Sequence, residues 1–253
     1  MWRCAVLFLL LAASSPAWAG ADCPLVRVTL APLLGVQAEL DAGEPLTIVA
    51  LGSSSTEGAG ASSRAASYPA QLEGLLRAAL PGVELRVINA GKSGETSAEM
   101  LARLETDVLA HDPDLVIWQA SGNEALRGGD PSIFLAQMRA GLRRLRAAGV
   151  EVVLMDNQRA PRILSAPASR SFDAAMRELA QAERVPLFAR SRLMQHWRDG
   201  GMPLAEVLAL DGLHHNDRGY ACLAEALAAS LISAASHRPA NHLTGRDLRL
   251  AGP

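Results

Sequence analysis

Short runs dense in aliphatic and β-branched residues recur along the chain at residues 46–51 (LTIVAL), 84–89 (ELRVIN), 115–119 (LVIWQ) and 151–155 (EVVLM), with a weaker one at 185–188 (VPLF). Apolar runs of this length read as buried strands. Between them lie stretches with helical spacing at 68–80, 98–110, 133–148 and 172–182. Leu135, Met138, Leu142 and Leu145 recur at three- and four-residue steps and describe one apolar helix face. Pro81–Gly82 and Gly149 punctuate two helix ends. Strand and helix therefore alternate, the pattern of an α/β fold with a parallel sheet of about five strands, helices on both faces and right-handed crossovers.

In such folds ligands bind beyond the carboxyl ends of the strands. The polar clusters obey that rule. Gly52–Ser53–Ser54–Ser55–Thr56 follows the first run, residues 91–96 the second, Ser121–Gly122–Asn123–Glu124 the third and Asp156–Asn157–Gln158 the fourth. A glycine- and hydroxyl-rich turn after a first strand has two chemical uses. Ser53, Ser54, Ser55 and Thr56, with Gly58 and Gly60, could cradle a phosphate as a flavodoxin-type loop does. A flavin, however, needs aromatic cover, and neither of the next two loops contains Trp or Tyr. They offer instead Gly94 and Asn123, a close-approach backbone N–H and a side-chain amide suited to a developing oxyanion. Asp211–Gly212–Leu213–His214 completes the set: a carboxylate three residues before a histidine can accept Nδ1–H and leave Nε2 as a general base. Asn216 or Asp217 then reads as the cap of a last helix running to Leu231.

Taken together, the blocks ALGSSSTEG (50–58), INAGKSGETS (88–97), ASGNEA (120–125) and DGLHHNDRGY (211–220) resemble the four blocks of the SGNH, or GDSL-type, hydrolases. The resemblance spans about residues 46–231. It implies a three-layer, flavodoxin-like α/β/α sandwich and a serine esterase without cofactor or metal. Its catalytic residues would be Ser54 as nucleophile, His214 as base and Asp211 as acid, with an oxyanion hole from the N–H groups of Ser54 and Gly94 and the Asn123 side chain. Ser53 stands where the family has aspartate, Glu124 where a shorter aspartate is usual, and His215 where proline is common. Glu124 then reads as a longer carboxylate at the rim and His215 as solvent-facing. Ser55 is adjacent to the nucleophile, but the block alignment selects Ser54. Gln119 and Gln158, at strand ends, are given no role.

Composition narrows the partners. The chain has 253 residues, 49% hydrophobic and 20% charged, with a net charge of -2, so no basic surface for nucleic acid or anionic membrane is implied. Aromatic residues make up 4%, too few for a base-stacking surface. His111 caps a helix end, His196 packs near Trp197, and His237 and His242 lie in the tail, so no metal-ligand cluster is expected. The expected substrate is a small-molecule or glycan ester: an acyl ester, lysophospholipid or thioester, or alternatively an O-acetylated carbohydrate. An exported binding module that has lost catalysis is the reading from another class.

Residues 1–19 combine Arg3, an apolar run over 4–13 and the small-x-small site Ala17–Trp18–Ala19, the pattern of a secretory signal peptide cleaved after Ala19. The run is too short for a membrane anchor, since spanning needs about 20 apolar residues. Export, secreted or periplasmic, would leave Cys23 and Cys222 free to pair. The expected organisation is a signal peptide at 1–19, a hydrolase domain at 20–235 and a loosely held tail at 236–253.

Overall fold

The computed structural model describes residues 23–24, 26–236 and 246–248. The signal-peptide segment, residues 1–19, lies outside them. In chain order the elements are β1 (Val26–Val28), α1 (Leu34–Ala42), β2 (Leu46–Gly52), α2 (Ser54–Glu57), α3 (Tyr68–Ala79), β3 (Leu85–Gly91), α4 (Ser97–Ala102), α5 (Leu104–Asp107), β4 (Leu115–Gln119), α6 (Gly122–Arg127), α7 (Pro131–Ala147), β5 (Glu151–Met155), α8 (Pro161–Leu164), α9 (Ser169–Glu183), β6 (Leu187–Phe188), α10 (Arg190–Asp199), α11 (Asp217–Ala235) and β7 (Arg246–Leu248).

Strands β2 to β6 form a five-stranded sheet in the order β3-β2-β4-β5-β6, every pairing parallel. Every residue of β2 is buried, as a strand covered on both faces requires. Its side chains divide by parity. Leu46, Ile48 and Ala50 enter one core with Ile117, Val153 and Met155, while Val49 and Leu51 enter the other with Val116, Trp118 and Leu154. The first core is closed by α3 and α11, the second by α4, α7 and α9. This is the three-layer α/β/α sandwich that the alternation and the family resemblance imply.

Two local features shape the second core. The Trp118 ring is wedged so close to α7 that a Cβ on Gly141 would stand 2.3 Å from its Cη2 atom. Asp130 caps α7, accepting the Ser132 N–H at 2.7 Å, and Pro131 occupies the first turn.

The helix expected over 98–110 is broken into α4, α5 and a 3₁₀ turn at Leu109–His111. At the first break the backbone of Arg103 leaves the helix (φ -103°, ψ 11°), and its guanidinium turns inward to donate to the carbonyls of Ala90 (2.8 Å) and Gly52 (3.3 Å) and to pair with Glu95 at 2.6 Å. It thereby ties together the carboxyl ends of β2 and β3.

Beyond the main sheet, β1 pairs in parallel with β7, so three residues of the expected tail join a two-stranded sheet. Cys23 and Cys222 form a disulfide, fastening the segment before β1 to the buried side of α11. Among the described residues no helix is long and apolar enough to cross a membrane.

Candidate active site

The strand order reverses direction between the neighbouring strands β2 and β4, which makes their carboxyl ends the topological switch point of the sheet. Ser54 leaves β2 there and Asn123 leaves β4 there. Gly52 must lack a side chain, because a Cβ would stand 2.1 Å from Thr56 Oγ1 and 2.8 Å from Gln119 Oε1. That Gln119 oxygen accepts the Ser53 N–H at 3.0 Å, the Ser53 hydroxyl at 3.1 Å and the Thr56 hydroxyl at 3.3 Å. A single strand-end amide thus organises the whole serine turn. Ser53, which stands where the family has aspartate, is buried with its hydroxyl on the Gln119 oxygen.

Ser54, half-buried at the start of α2, donates its hydroxyl proton to His214 Nε2 at 2.8 Å. His214 Nδ1 donates to Asp211 Oδ2 at 2.5 Å. The other oxygen of Asp211 accepts the backbone N–H groups of Leu213 (2.9 Å) and His214 (3.0 Å), with Gly212 turning through φ +63° between them. The carboxylate therefore fixes the turn and the ring tautomer together. Burial opposes its charge, but those backbone and ring hydrogen bonds outweigh burial and hold Asp211 below the usual carboxylate range. Ser55 is buried and makes no hydrogen bond to His214 among the described residues.

Asn123 and Ser54 line one small cavity with Ser53, Gln119 and Gly122. One amide hydrogen of Asn123 goes to the Glu95 carbonyl at 2.8 Å, which orients the group and leaves its second hydrogen for a ligand. Gly94 precedes that carbonyl with φ +81° and is held by Arg127, which donates to its carbonyl at 2.7 Å. Gly94 is not among the residues lining the cavity itself.

The loop that carries Gly94 is anchored by a residue for which the sequence suggested no role. Glu57 accepts the Ser93 N–H at 2.9 Å and the Ser93 hydroxyl. Its signal was its place inside the first block, where an acidic residue ends a four-residue helix. Glu124, expected at the rim, is instead buried and accepts the Ser97 N–H at 2.5 Å, joining α6 to α4.

His215 also departs from expectation. It is fully buried, not solvent-facing. The segment pairs as a β-bridge with Leu208, so His214 and His215 point to opposite sides. His214 faces Ser54. His215 packs edge-on between Trp197 and Tyr220, with Nδ1 donating to the Val207 carbonyl at 3.0 Å. Burial, reinforced by the buried guanidinium of Arg190, lowers its pKa to about 3, so it stays neutral at physiological pH. Asn216 caps α11 by accepting the Gly219 N–H at 2.9 Å, while Asp217 grips Ser62 through its N–H at 2.7 Å and hydroxyl at 2.5 Å. Tyr220 donates to the Ala59 carbonyl at 2.7 Å, so the loop after α2 buttresses the histidine turn at several points.

The arrangement is that of a hydroxyl in line with an imidazole and a carboxylate, beside an amide donor. Such an arrangement can pass a proton from the serine to the imidazole, with the carboxylate stabilising the imidazolium. Among the described residues no group of three or more His, Cys, Asp or Glu side chains could hold a metal ion.

The chain is similar to several ester-cleaving enzymes. An arylesterase of Vibrio mimicus is 28% identical over 151 residues, 60% of this chain and 72% of that protein. The thioesterase 1/protease 1/lysophospholipase L1 of Escherichia coli (strain K12) is 36% identical over 101 residues, 40% of this chain, and the match spans about half of its length, 48%. In structure, a two-domain esterase active on acetylated mannans superposes with a TM-score of 0.70 at 23% identity, over 87% of this chain and 58% of that one. The model of the non-GDSL lipase-like family matches residues 21–237, and the chain belongs to that family of SGNH-type, ester-cleaving hydrolases.

Proposed function

We propose that the chain is a serine hydrolase that cleaves carboxylic esters or thioesters through an acyl-serine. The observation that carries the reading is the continuous hydrogen-bonded line from Ser54 Oγ through His214 to Asp211, at 2.8 and 2.5 Å. In the first step His214 Nε2 removes the Ser54 proton as Oγ attacks the ester carbonyl. Asp211 stabilises the imidazolium, and the N–H groups of Ser54 and Gly94 with the free amide hydrogen of Asn123 hold the oxyanion. Collapse of the tetrahedral intermediate breaks the ester bond, and His214 returns the proton to the leaving alcohol or thiol. Water, deprotonated by His214, then attacks the acyl-serine and regenerates Ser54.

Export is part of the same reading. It is supported by the three-part pattern of residues 1–19 and by the Cys23–Cys222 bridge, a bond that persists in oxidising compartments.

The test follows hydrolysis of p-nitrophenyl esters by the mature protein beside Ser54→Ala and Ser55→Ala. Turnover should vanish in Ser54→Ala and persist in Ser55→Ala. Loss confined to Ser55→Ala would overturn the assignment of the nucleophile, and no turnover of any ester would favour a binding module.

A further inference from the structure

His215 is buried with one ring nitrogen bonded and the other not. Nδ1 donates to the Val207 carbonyl at 3.0 Å, while Nε2 has no hydrogen-bond partner among the described residues. A buried polar atom left unpaired is unfavourable. To fill the space between Trp197 and Tyr220 a phenyl ring would serve as well, without that loss. What the imidazole adds over a plain ring is its single bond to Val207.

That bond lands on the segment that holds the catalytic histidine. Leu208 pairs with His215 in the β-bridge, and the Ala209 N–H donates to the His214 carbonyl at 2.8 Å. The Val207 carbonyl also accepts the Asn216 N–H at 3.3 Å. Residues 207–209 therefore grip the backbone from His214 to Asn216. Asn216 Nδ2 adds bonds to the Glu206 and Leu208 carbonyls at 3.0 and 3.2 Å, but of these side-chain ties only the His215 bond is fully buried. The packing leaves the turn no slack. A Cβ on Gly60, in the loop after α2, would stand 2.4 Å from the His215 carbonyl oxygen and 3.0 Å from His214 Cβ. A Cβ on Gly219, in the first turn of α11, would stand 2.0 Å from the Val207 oxygen and 2.6 Å from His215 Nδ1.

We infer that His215 is a positioning residue for the reaction: its bond to Val207 sets the place from which His214 Nε2 meets Ser54 Oγ at 2.8 Å. The inference rests on the serine-hydrolase reading of Ser54, and His215 acts only through His214. Alignment of a base with its nucleophile is sensitive, since a misplacement of about 1 Å can cost about 10²-fold in rate.

Two substitutions separate the bond from the packing. His215→Phe keeps a ring in the slot and removes the donor. His215→Asn removes the ring, and its Nδ2 can take the place of the Nδ1 donor. kcat and KM are measured for both on a p-nitrophenyl ester that the wild type hydrolyses, with circular dichroism and urea midpoints to show that each is folded. The rate at which a fluorophosphonate labels Ser54 reads the same alignment without turnover. In His215→Phe kcat and labelling should fall at least about tenfold, with KM within about twofold of the wild type. His215→Asn, the less well packed of the two, should keep kcat within about threefold of the wild type. A space-filling role would give the opposite order. Wild-type kcat in His215→Phe, or a kcat in folded His215→Asn no higher than in His215→Phe, would overturn the inference and leave the serine hydrolase standing. Should His215→Asn fail to fold, the His215→Phe arm decides alone. A wild type that neither turns over an ester nor labels at Ser54 would overturn the reading beneath it as well.

Discussion

Asn123 has two amide hydrogens and uses one on the Glu95 carbonyl, so its remaining donor is aimed before any substrate arrives. In the proposed mechanism this amide is an oxyanion donor, and such a donor acts on charge that develops only in the transition state. Asn123→Ala should accordingly lower kcat by about 10²–10³ while changing KM little, as removal of one such donor does; steady-state kinetics with an unchanged melting curve is the check. A rise in KM alone would show a ground-state contact instead.

His215 gives a prediction in pH. Its folded pKa of about 3 lies below the ordinary 6.5, so between those values the unfolded chain binds a proton the native state refuses. Its contribution to stability is thus present above pH 6.5 and lost as pH falls. Buried Asp156 acts in the opposite sense: burial raises it from 3.8 to about 6, so the stability it contributes is present at low pH and lost as pH rises through that range. Between pH 4 and 6 the two slopes oppose each other. Removing the histidine with His215→Phe should leave Asp156 unopposed, shifting the slope of unfolding free energy against pH by up to about 1.4 kcal/mol per unit. Urea titrations at pH 4, 5 and 6 read this directly. Slopes that match the wild type would place a proton on native His215. The sequence selects His214 as the base through its last block but reads His215 as solvent-facing; the β-bridge to Leu208, a tertiary contact, is what turns His215 into the core.

At the scale of elements, Gly141 in α7 sets two effects against each other. Alanine is the better helix former by about 1 kcal/mol. Its Cβ, however, would meet the fully buried Trp118 ring at 2.3 Å, and such overpacking costs about 1–3 kcal/mol. Because the ring is held in the core on all sides, Gly141→Ala should be destabilising, seen as a lower denaturation midpoint; a raised midpoint would mean the ring can move aside. The same helix shows what the sequence conveys well. Its apolar face at Met138, Leu142 and Leu145 is long and periodic, and those residues are buried as the spacing predicts. Helices α2, α6 and α8 are four to six residues long and have no period to read. Their positions come from Gln119, Ser97 and Gly212, partners distant in sequence. The inward turn of Arg103 at the junction of α4 and α5 was hidden for a like reason, since the carbonyls it reaches, on Gly52 and Ala90, belong to other elements.

Across the molecule, parallel topology put the loops of Ser54, Gly94 and Asn123 at one edge of the sheet from sequence alone, while Asp211 and His214 were legible only through the resemblance of the last block. What block order could not supply was the closure between first and last elements. That closure comes from the Cys23–Cys222 bond and from the grip of Asp217 on Ser62. The bond joins residues 199 apart in sequence. By the chain-entropy relation a loop of that length stabilises the fold by about 5 kcal/mol, though about 2–4 kcal/mol is typical of measured bridges. Dithiothreitol should therefore lower the urea midpoint markedly while leaving esterase activity of the still-folded protein intact, since neither cysteine lines the site. An unchanged midpoint would show that β1 and α11 hold together without the bond.

The most direct measurement of the central claim is where an active-site probe attaches. The mature protein is incubated with a fluorophosphonate and its peptides are mapped by mass spectrometry, beside Ser54→Ala and His214→Ala. One adduct on Ser54, absent in the first variant and formed far more slowly in the second, is the result the hydrogen-bonded line from Ser54 to Asp211 predicts. An adduct on Ser55, or equal labelling of Ser54 when His214 is gone, would contradict it.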